Sequence, residues 1–453
     1  MLTYELKKSP GVPLYEALYR AIRADILSGA LSAGEKLPSK RALAANLEVS
    51  KITVEAAYGQ LLAEGYLSAR EKVGYFVEAV ELLPAQPLPP AMEPEAAPAG
   101  VDLTAGGPLH FPFSVWSRLQ REVMLDHGEK LLQPLHHQGH PGLRRAIGGH
   151  LAGFRGMAVD PENIVIGAGT DHLYNLLIQL LGRDRVYAVE EPGYGKIRRI
   201  YAAAGAACVS APMDDWGVIP PENANVLHLS PSHHFPTGLV TPAARRQELL
   251  RWASEGDRWI IEDDYDSEFR FAAHPLPALH TLDRRGRVIY MNTFSKSLAP
   301  SIRISYMVLP GELMALFRQK LGFYSCTVTS FEQYTLERFL SGGHFEKHIN
   351  RMRKFYKNQR NRLVELLNSS PISEKITILE QNAGLHFLLR VDTRDSDEAL
   401  TGRWADAGIR VRALSEFYHG SVPESDRRCL VVSYDSLTDN DFVELEKRLK
   451  LVR

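Results

Sequence analysis

Several things are scarce in this 453-residue chain, and each scarcity closes off a class of protein. Its three cysteines, Cys208, Cys326 and Cys429, lie far apart with no Cys-x-x-Cys pair, which argues against a disulfide scaffold and against a zinc site. Opposite charges nearly cancel, 53 Lys and Arg against 54 Asp and Glu, so no global field draws the chain to nucleic acid or to a membrane. Any affinity for DNA must come from a local patch. No run of about 18 apolar residues occurs, and the opening MLTYELKKSP holds no apolar signal core. The expectation is a cytoplasmic protein without a membrane partner.

The length suffices for two or three domains, and the texture changes along it. In residues 1–77, Leu14, Leu18, Ile22, Ile26 and Leu27 recur at helical spacing until Gly29 ends the helix. Ser39 is placed to cap a second helix, Lys40 to Leu47, and Ser50 a third, from about Lys51 to Glu64. Gly65-Tyr66-Leu67 then leads into two short strands ending at Val77. Three helices and a β-wing describe a winged helix-turn-helix, a DNA reader. Its candidate DNA contacts are Ser39 and Arg41 on the second helix, Ser50, Lys51 and Thr53 at the start of the third, and Arg70, Lys72 and Gly74 on the wing. Leu47, Val49, Val54, Ala57 and Leu61 read as its core, and Tyr58 as either core or a phosphate contact. Basic residues exceed acids there by only two, so the helix caps and wing identify this segment, not its charge. Residues 78–100, rich in Pro and Ala, read as an extended, semi-stiff linker.

From residue 101 to 453 apolar strand-like runs alternate with helical stretches: Asn163–Gly167, Val186–Val189, Val226–Leu229, Trp259–Glu262 and Val288–Met291. That is an α/β pattern on a mainly parallel sheet. After about Ile302 the texture turns more helical, notably His344 to Leu367, and from about residue 325 a smaller α+β lobe closes the chain.

In open α/β sheets ligands bind where strands end, and several unusual groups stand at such junctions. Lys296, in Asn292-Thr293-Phe294-Ser295-Lys296, suits an aldehyde cofactor carrying a phosphate. Its amine can form a Schiff base, Thr293 and Ser295 can donate to phosphate oxygens, and Arg303 can neutralise the dianion. Asp263, after an apolar strand, can pair with a protonated pyridine nitrogen, and Tyr265 can donate to a phenolic oxygen. Gly167-Ala168-Gly169-Thr170-Asp171 opens a helix with bare amides that cradle phosphate, and Tyr194 can stack on a flat ring. In Ser232-His233-His234-Phe235-Pro236-Thr237-Gly238 the two histidines lack a third metal ligand, so the segment reads as a cofactor-lining loop through His233. For the adjacent acids Asp263 and Asp264 the alternative is a solvated turn, and for Tyr194 it is ordinary packing.

The order of these groups resembles the fold-type-I aminotransferases, and with the helix-turn-helix in front the whole layout resembles the MocR/GabR-type regulators of the GntR superfamily. IIEDDYDSEFR (260–270), TFSKSLAPSIRISYMVLP (293–310), SHHFPTG (232–238) and HINRMR (348–353) carry the likeness. It implies pyridoxal 5'-phosphate as cofactor, with Lys296 as the internal aldimine, Asp263 at the pyridine nitrogen, Tyr265 at the phenolic oxygen and Tyr194 on the ring face. Gly169, Thr170, Thr293, Ser295 and Arg303 would surround the phosphate. It further implies a homodimer in head-to-tail arrangement, reading double-stranded operator DNA. The expected function is a transcriptional regulator that senses an amine or amino acid through external aldimine formation at Lys296. The alternative is a working aminotransferase with an accessory DNA-binding domain.

Three positions depart from the family pattern. Asp171 stands where glutamine is usual, and Pro134 where the partner subunit's phosphate-binding tyrosine is expected. The arginine that often holds an amino acid's carboxylate falls near Val431, so Arg410 or Arg412 is the substitute candidate for holding the effector.

Overall fold

The computed structural model describes residues 2–4, 13–80, 100–104, 110–269, 276–379 and 384–452. Most of the linker stretch, 81–99, lies outside them. The chain divides into two compact units, Met1–Ala97 and Pro98–Arg453, each described by itself.

The first unit is three helices and a hairpin. Helix Leu14–Ser28 buries Leu18, Ile22 and Ile26, four residues apart on one face, and ends at Gly29 with φ 80°, a left-handed conformation that glycine adopts without strain. Helices Lys40–Asn46 and Lys51–Ala63 are both serine-capped. Ser39 Oγ accepts from the Ala42 amide and Ser50 Oγ from the Thr53 amide, each at 3.2 Å. The antiparallel wing pairs Leu67–Arg70 with Gly74–Val77, Leu67 opposite Val77. Tyr58, open between two roles in the sequence, is fully buried, and its hydroxyl donates to the Pro38 carbonyl at 3.0 Å. It is a core residue.

The second unit is built on an eight-stranded sheet, whose strands we label in chain order: β1 Ile164–Gly167, β2 Val186–Glu191, β3 Ala207–Asp214, β4 Gly217–Val218, β5 Val226–Leu229, β6 Trp259–Asp263, β7 Val288–Thr293 and β8 Ser305–Val308. Their spatial order is β1-β8-β7-β6-β5-β2-β3-β4. β7, β6, β5, β2 and β3 run parallel, whereas β8 is antiparallel to both β7 and β1. β1, β5, β6, β7 and β8 are buried along their whole length, which explains their near-continuous apolar sequences. Apolar clusters pack on both faces of this sheet.

β3 and β8 do not stand out as apolar runs. β3 has Ser210 and Pro212 within it and is mostly not buried, and β8 is only four residues long inside a stretch whose expected texture is helical. The long helix His344–Ser369 leads into a smaller antiparallel sheet of Ile376–Leu379, His386–Val391, Cys429–Ser433 and Arg412–Ala413, flanked by helices Asp397–Asp406 and Asp439–Leu449. Ile409–Arg410 pairs in parallel with Val101–Asp102, which ties the start of this unit to its closing lobe.

Removing the Ser50 cap strips one acceptor from the N-terminus of the third helix, a loss of about 1 kcal/mol. In the full chain, Ser50→Ala is expected to speed amide hydrogen exchange across Lys51–Ala63 roughly fivefold, with Ser50→Asp near wild type. Equal exchange in all three would contradict the capping role.

Candidate functional site

The carboxyl ends of β2, β5, β6 and β7 and the amino end of helix Thr170–Leu181 surround a cavity of about 390 Å³. Parallel pairing sets its floor: Met291 of β7 lies opposite Asp263 of β6, so the residues after each strand emerge on one edge. β7 runs directly into the short helix Phe294–Ser297, which carries Lys296 into the cavity. Of the residues singled out in the sequence, Thr170, Asp171, Tyr194, Asp263, Tyr265, Thr293, Ser295, Lys296 and Arg303 line this one space.

Asp263 ends β6 almost wholly buried, so the solvated-turn alternative does not hold. Its Oδ2 accepts a 2.5 Å hydrogen bond from the Tyr174 hydroxyl and lies 3.6 Å from His228 Nε2. Its Oδ1 is buried and has no partner among the described residues. Burial and the Asp263 charge push the Tyr174 phenol well above its ordinary value, so it stays a donor. Tyr265 is likewise raised by burial and by Asp266, and remains protonated. Behind it, His233 Nδ1 lies 2.7 Å from Asp266 and 3.3 Å from the Tyr265 hydroxyl. His233 does not itself line the cavity; Phe235 of the same loop does, with its ring edge-on to Tyr194 at 6.1 Å.

At another edge, Thr293 Oγ1 accepts from the Ser295 amide and from the Ser305 hydroxyl, which leaves its own hydrogen free to donate. Ser295 Oγ is buried and has no partner among the described residues. Gly169, with φ 88°, opens helix Thr170–Leu181, and a Cβ there would stand 2.4 Å from Arg303 Nη2. Only glycine lets that guanidinium approach. Asp171 is 2.7 Å from Lys196 Nζ and 3.2 Å from Arg303 Nη2. Partial burial opposes its ionisation, but the two cations hold it below the usual carboxylate range.

A buried scaffold backs the cavity. Asp264 pairs with Arg155 at 3.1 Å and accepts from the Tyr290 hydroxyl at 2.7 Å. Glu190 lines the cavity, accepts from the Ser230 amide at 3.0 Å and lies 3.5 Å from His234. That separation suits an ion pair, yet burial pushes Glu190 well up and His234 down to about 3, so both are held neutral. Among the described residues no group of three or more His, Cys, Asp or Glu is arranged to hold a metal, and no helix is long and apolar enough to cross a membrane.

Arg410 and Arg412 are not brought to Lys296. Arg410 pairs with Asp102 at 3.0 Å, Arg412 with Glu416 at 3.0 Å, and both line a different cavity. Val431 packs into an apolar cluster with Leu388, Leu414 and Phe417. The residue sequence reasoning missed is Asp435, buried, lining the cavity and 3.7 Å from Lys296 Nζ. No local pattern marks it; it stands four residues after Val431, where the family likeness places an arginine. In the first unit, Arg41, Lys51, Arg70 and Lys72 are exposed, Ser39 and Ser50 are exposed but spend their oxygens on caps, and Thr53 and Gly74 are half-buried. Ile52, also missed, exposes 77% of its surface at the start of the third helix.

The fold and the site define a class: a gntR-type DNA-binding module joined to an aminotransferase-class domain. The pattern for bacterial regulatory proteins of the gntR family matches residues 14–77, and that for aminotransferase class I and II matches residues 98–441. The HTH-type transcriptional regulator YdeL of Bacillus subtilis is 36% identical over 99% of this chain and 98% of its own length. The probable rhizopine catabolism regulatory protein MocR of Rhizobium meliloti is 33% identical over 92% and 90%. A kynurenine aminotransferase from Pyrococcus horikoshii, solved in complex with PMP and kynurenine, superposes on 78% of this chain and 90% of its own with a TM-score of 0.68 at 27% identity. The chain belongs to the MocR-type HTH transcriptional regulators, with a fold-type-I aminotransferase domain.

Burial beside Asp264 pushes the Glu268 carboxyl up to about 8. An unfolded glutamate ionises near ~4.3, so between these values the folded chain keeps a proton the unfolded chain has lost. Stability therefore falls as pH rises through that window. Relative to wild type, Glu268→Gln is expected to gain stability steadily from about pH 5 to about pH 8, read as denaturant midpoints. A constant difference across that range would show that Glu268 does not titrate there.

Proposed function

We propose that this regulator binds pyridoxal 5'-phosphate at Lys296 and senses a primary amine, an amino acid or a simple amine, in the same cavity. The observation that carries the reading is the pair of orphaned polar atoms in a cavity around a lysine. Asp263 Oδ1 is a buried acceptor suited to a pyridine N–H, and Ser295 Oγ is a buried donor suited to a phosphate oxygen. Leaving either unmet costs about 1–3 kcal/mol, so a ligand offering both partners recovers that cost. Bound there, the cofactor would supply an aldehyde carbon that condenses reversibly with a primary amine, whether that of Lys296 or of an effector.

In this reading Arg303, Lys196, the Thr293 hydroxyl and the amides opening helix Thr170–Leu181 hold the phosphate. Tyr265, kept protonated, donates to the ring's phenolic oxygen, and His233 with Asp266 fixes that hydroxyl in place. Tyr194 covers the ring face. The DNA module reads operator sequence through the exposed start of the third helix, where Lys51 offers a phosphate or base contact and Ile52 an apolar one to a thymine methyl. One such module buries too little for tight binding, roughly 600–1,000 Å², which supports a homodimer reading two half-sites. Phe113, Leu125, Leu132 and Phe323 of the larger unit each expose more than 70% of their surface and suit a subunit interface. Effector binding would act on operator affinity through the difference in its affinity for two arrangements of the dimer.

Lys296, Asp263 and Tyr265 together are also what transamination needs, which favours a second reading with residual turnover. The test is titration of the cofactor-loaded chain with amines, following the visible absorption band and operator gel mobility together. The band is expected to move with operator affinity, by about tenfold for each 1.4 kcal/mol of coupling, and Lys296→Ala is expected to lose both responses. A Lys296→Ala chain that answers amines as wild type does would end the reading; rapid production of keto acid would favour the enzyme.

A further inference from the structure

We infer that Asp171 is a built-in competitor for the cofactor's phosphate: it holds two of the cations that would meet the phosphate, and so lowers the phosphate-dependent part of the cofactor's affinity. The inference rests on the reading above and adds what sets the strength of that hold. Three observations carry it. First, both cations converge on one atom. Lys196 Nζ lies 2.7 Å and Arg303 Nη2 3.2 Å from the same oxygen, Asp171 Oδ2. All three residues line the cavity together with Thr170, Thr293 and Ser295, at the amino end of helix Thr170–Leu181.

Second, the carboxylate is charged when a phosphate arrives. Partial burial opposes its ionisation, but Lys196 and Arg303 hold it below the usual carboxylate range, so near neutral pH it is an anion. A phosphate dianion entering beside it must share those cations or draw them away, and either way like charges are brought together.

Third, Arg303 does not depend on Asp171 for its place. β8, which follows it, is paired with β7 on one side and β1 on the other. Its guanidinium packs against Gly169, where a Cβ would stand 2.4 Å from Nη2. Strand pairing and that close approach seat the arginine at the opening of the helix. The carboxylate therefore adds repulsion without supplying the arrangement. Its removal leaves Arg303 where it is and frees both cations for the incoming anion.

Exposure limits the size of the effect. Lys196 and Arg303 are about half exposed and Asp171 about a third, so water screens the contact. A change of about tenfold is expected, far below what a fully buried unpaired charge would cause.

The test compares pyridoxal 5'-phosphate with pyridoxal, which carries the same ring and aldehyde without the phosphate. The full-length chain, freed of cofactor, is titrated with each while the visible absorption band is followed. The ratio of the half-loading concentration of pyridoxal to that of pyridoxal phosphate reads the phosphate contact alone, because a loosened helix would weaken both ligands together. In Asp171→Asn that ratio is expected to rise about tenfold, through tighter binding of pyridoxal phosphate with pyridoxal unchanged. Asp171→Glu, which keeps the charge, is expected to stay near wild type. Should the asparagine variant fail to fold, Asp171→Gln makes the same comparison with another neutral side chain. An unchanged ratio in the neutral variant would overturn the inference. So would a lower one, which would show that Asp171 organises the cations instead of competing for them; both results leave amine sensing standing. A wild-type chain that loaded neither ligand would end the reading of the site, and this inference with it.

Discussion

One buried carboxylate organises the larger unit. Asp263 lies at the end of a fully buried strand, with Oδ2 tied to the Tyr174 hydroxyl and Oδ1 meeting no donor among the described residues. Such a group is expensive inside a protein unless a cation or strong donor meets it. Among the described residues none meets Oδ1: the Tyr174 hydroxyl and His228 Nε2, 3.6 Å away, both stand on the other oxygen. The rest of the site follows from where that acid sits. Parallel pairing of β6 with β7 brings Lys296 to the same edge, and the pairing of β8 with β7 and β1 returns the chain so that Arg303 meets the amino end of helix Thr170–Leu181. The scaffold behind, Arg155 with Asp264 and Tyr290, stays in place whatever occupies the cavity.

Much of this was legible in the amino-acid sequence, for physical reasons. Buried parallel strands must be apolar along their length, so β1, β5, β6 and β7 announced themselves, and the polar residues that interrupt such runs at their ends were the ones that line the cavity. Ser39 and Ser50 were recognisable because the free amide N–H groups at a helix start need an acceptor and a short hydroxyl supplies it. Other features were not legible. β8 carries the same apolar residues as the helices around it, and a four-residue run cannot declare its periodicity. His233 looked like a lining residue but supports Tyr265 from behind, because spacing along a loop does not reveal which side chain turns inward. Asp435 was hidden for a related reason: its meaning lies in its distance to Lys296, 139 positions away in the chain, and no local pattern carries that.

Charge placement distinguishes the two edges of the cavity. Lys196 and Arg303 both pair with Asp171 at one edge of the cavity, so an anion entering there would compete with a carboxylate already in place. Near Lys296 stands the buried acid Asp435, and Val431, where the family likeness leads one to expect an arginine, packs among apolar side chains. The DNA module, by contrast, departs little from the ordinary economy of a winged helix: capped helices, an apolar core centred on Leu18, Leu43 and Leu61, and a few exposed basic side chains.

The claim beneath all of this is a covalent tie between one lysine nitrogen and an aldehyde. Borohydride reduction of the chain after loading with pyridoxal phosphate, followed by digestion and mass spectrometry, tests it most directly. The account predicts a single phosphopyridoxyl group on the peptide containing Lys296, with loss of the visible colour. Label spread over surface lysines, or a chain that stays colourless and unlabelled, would contradict it.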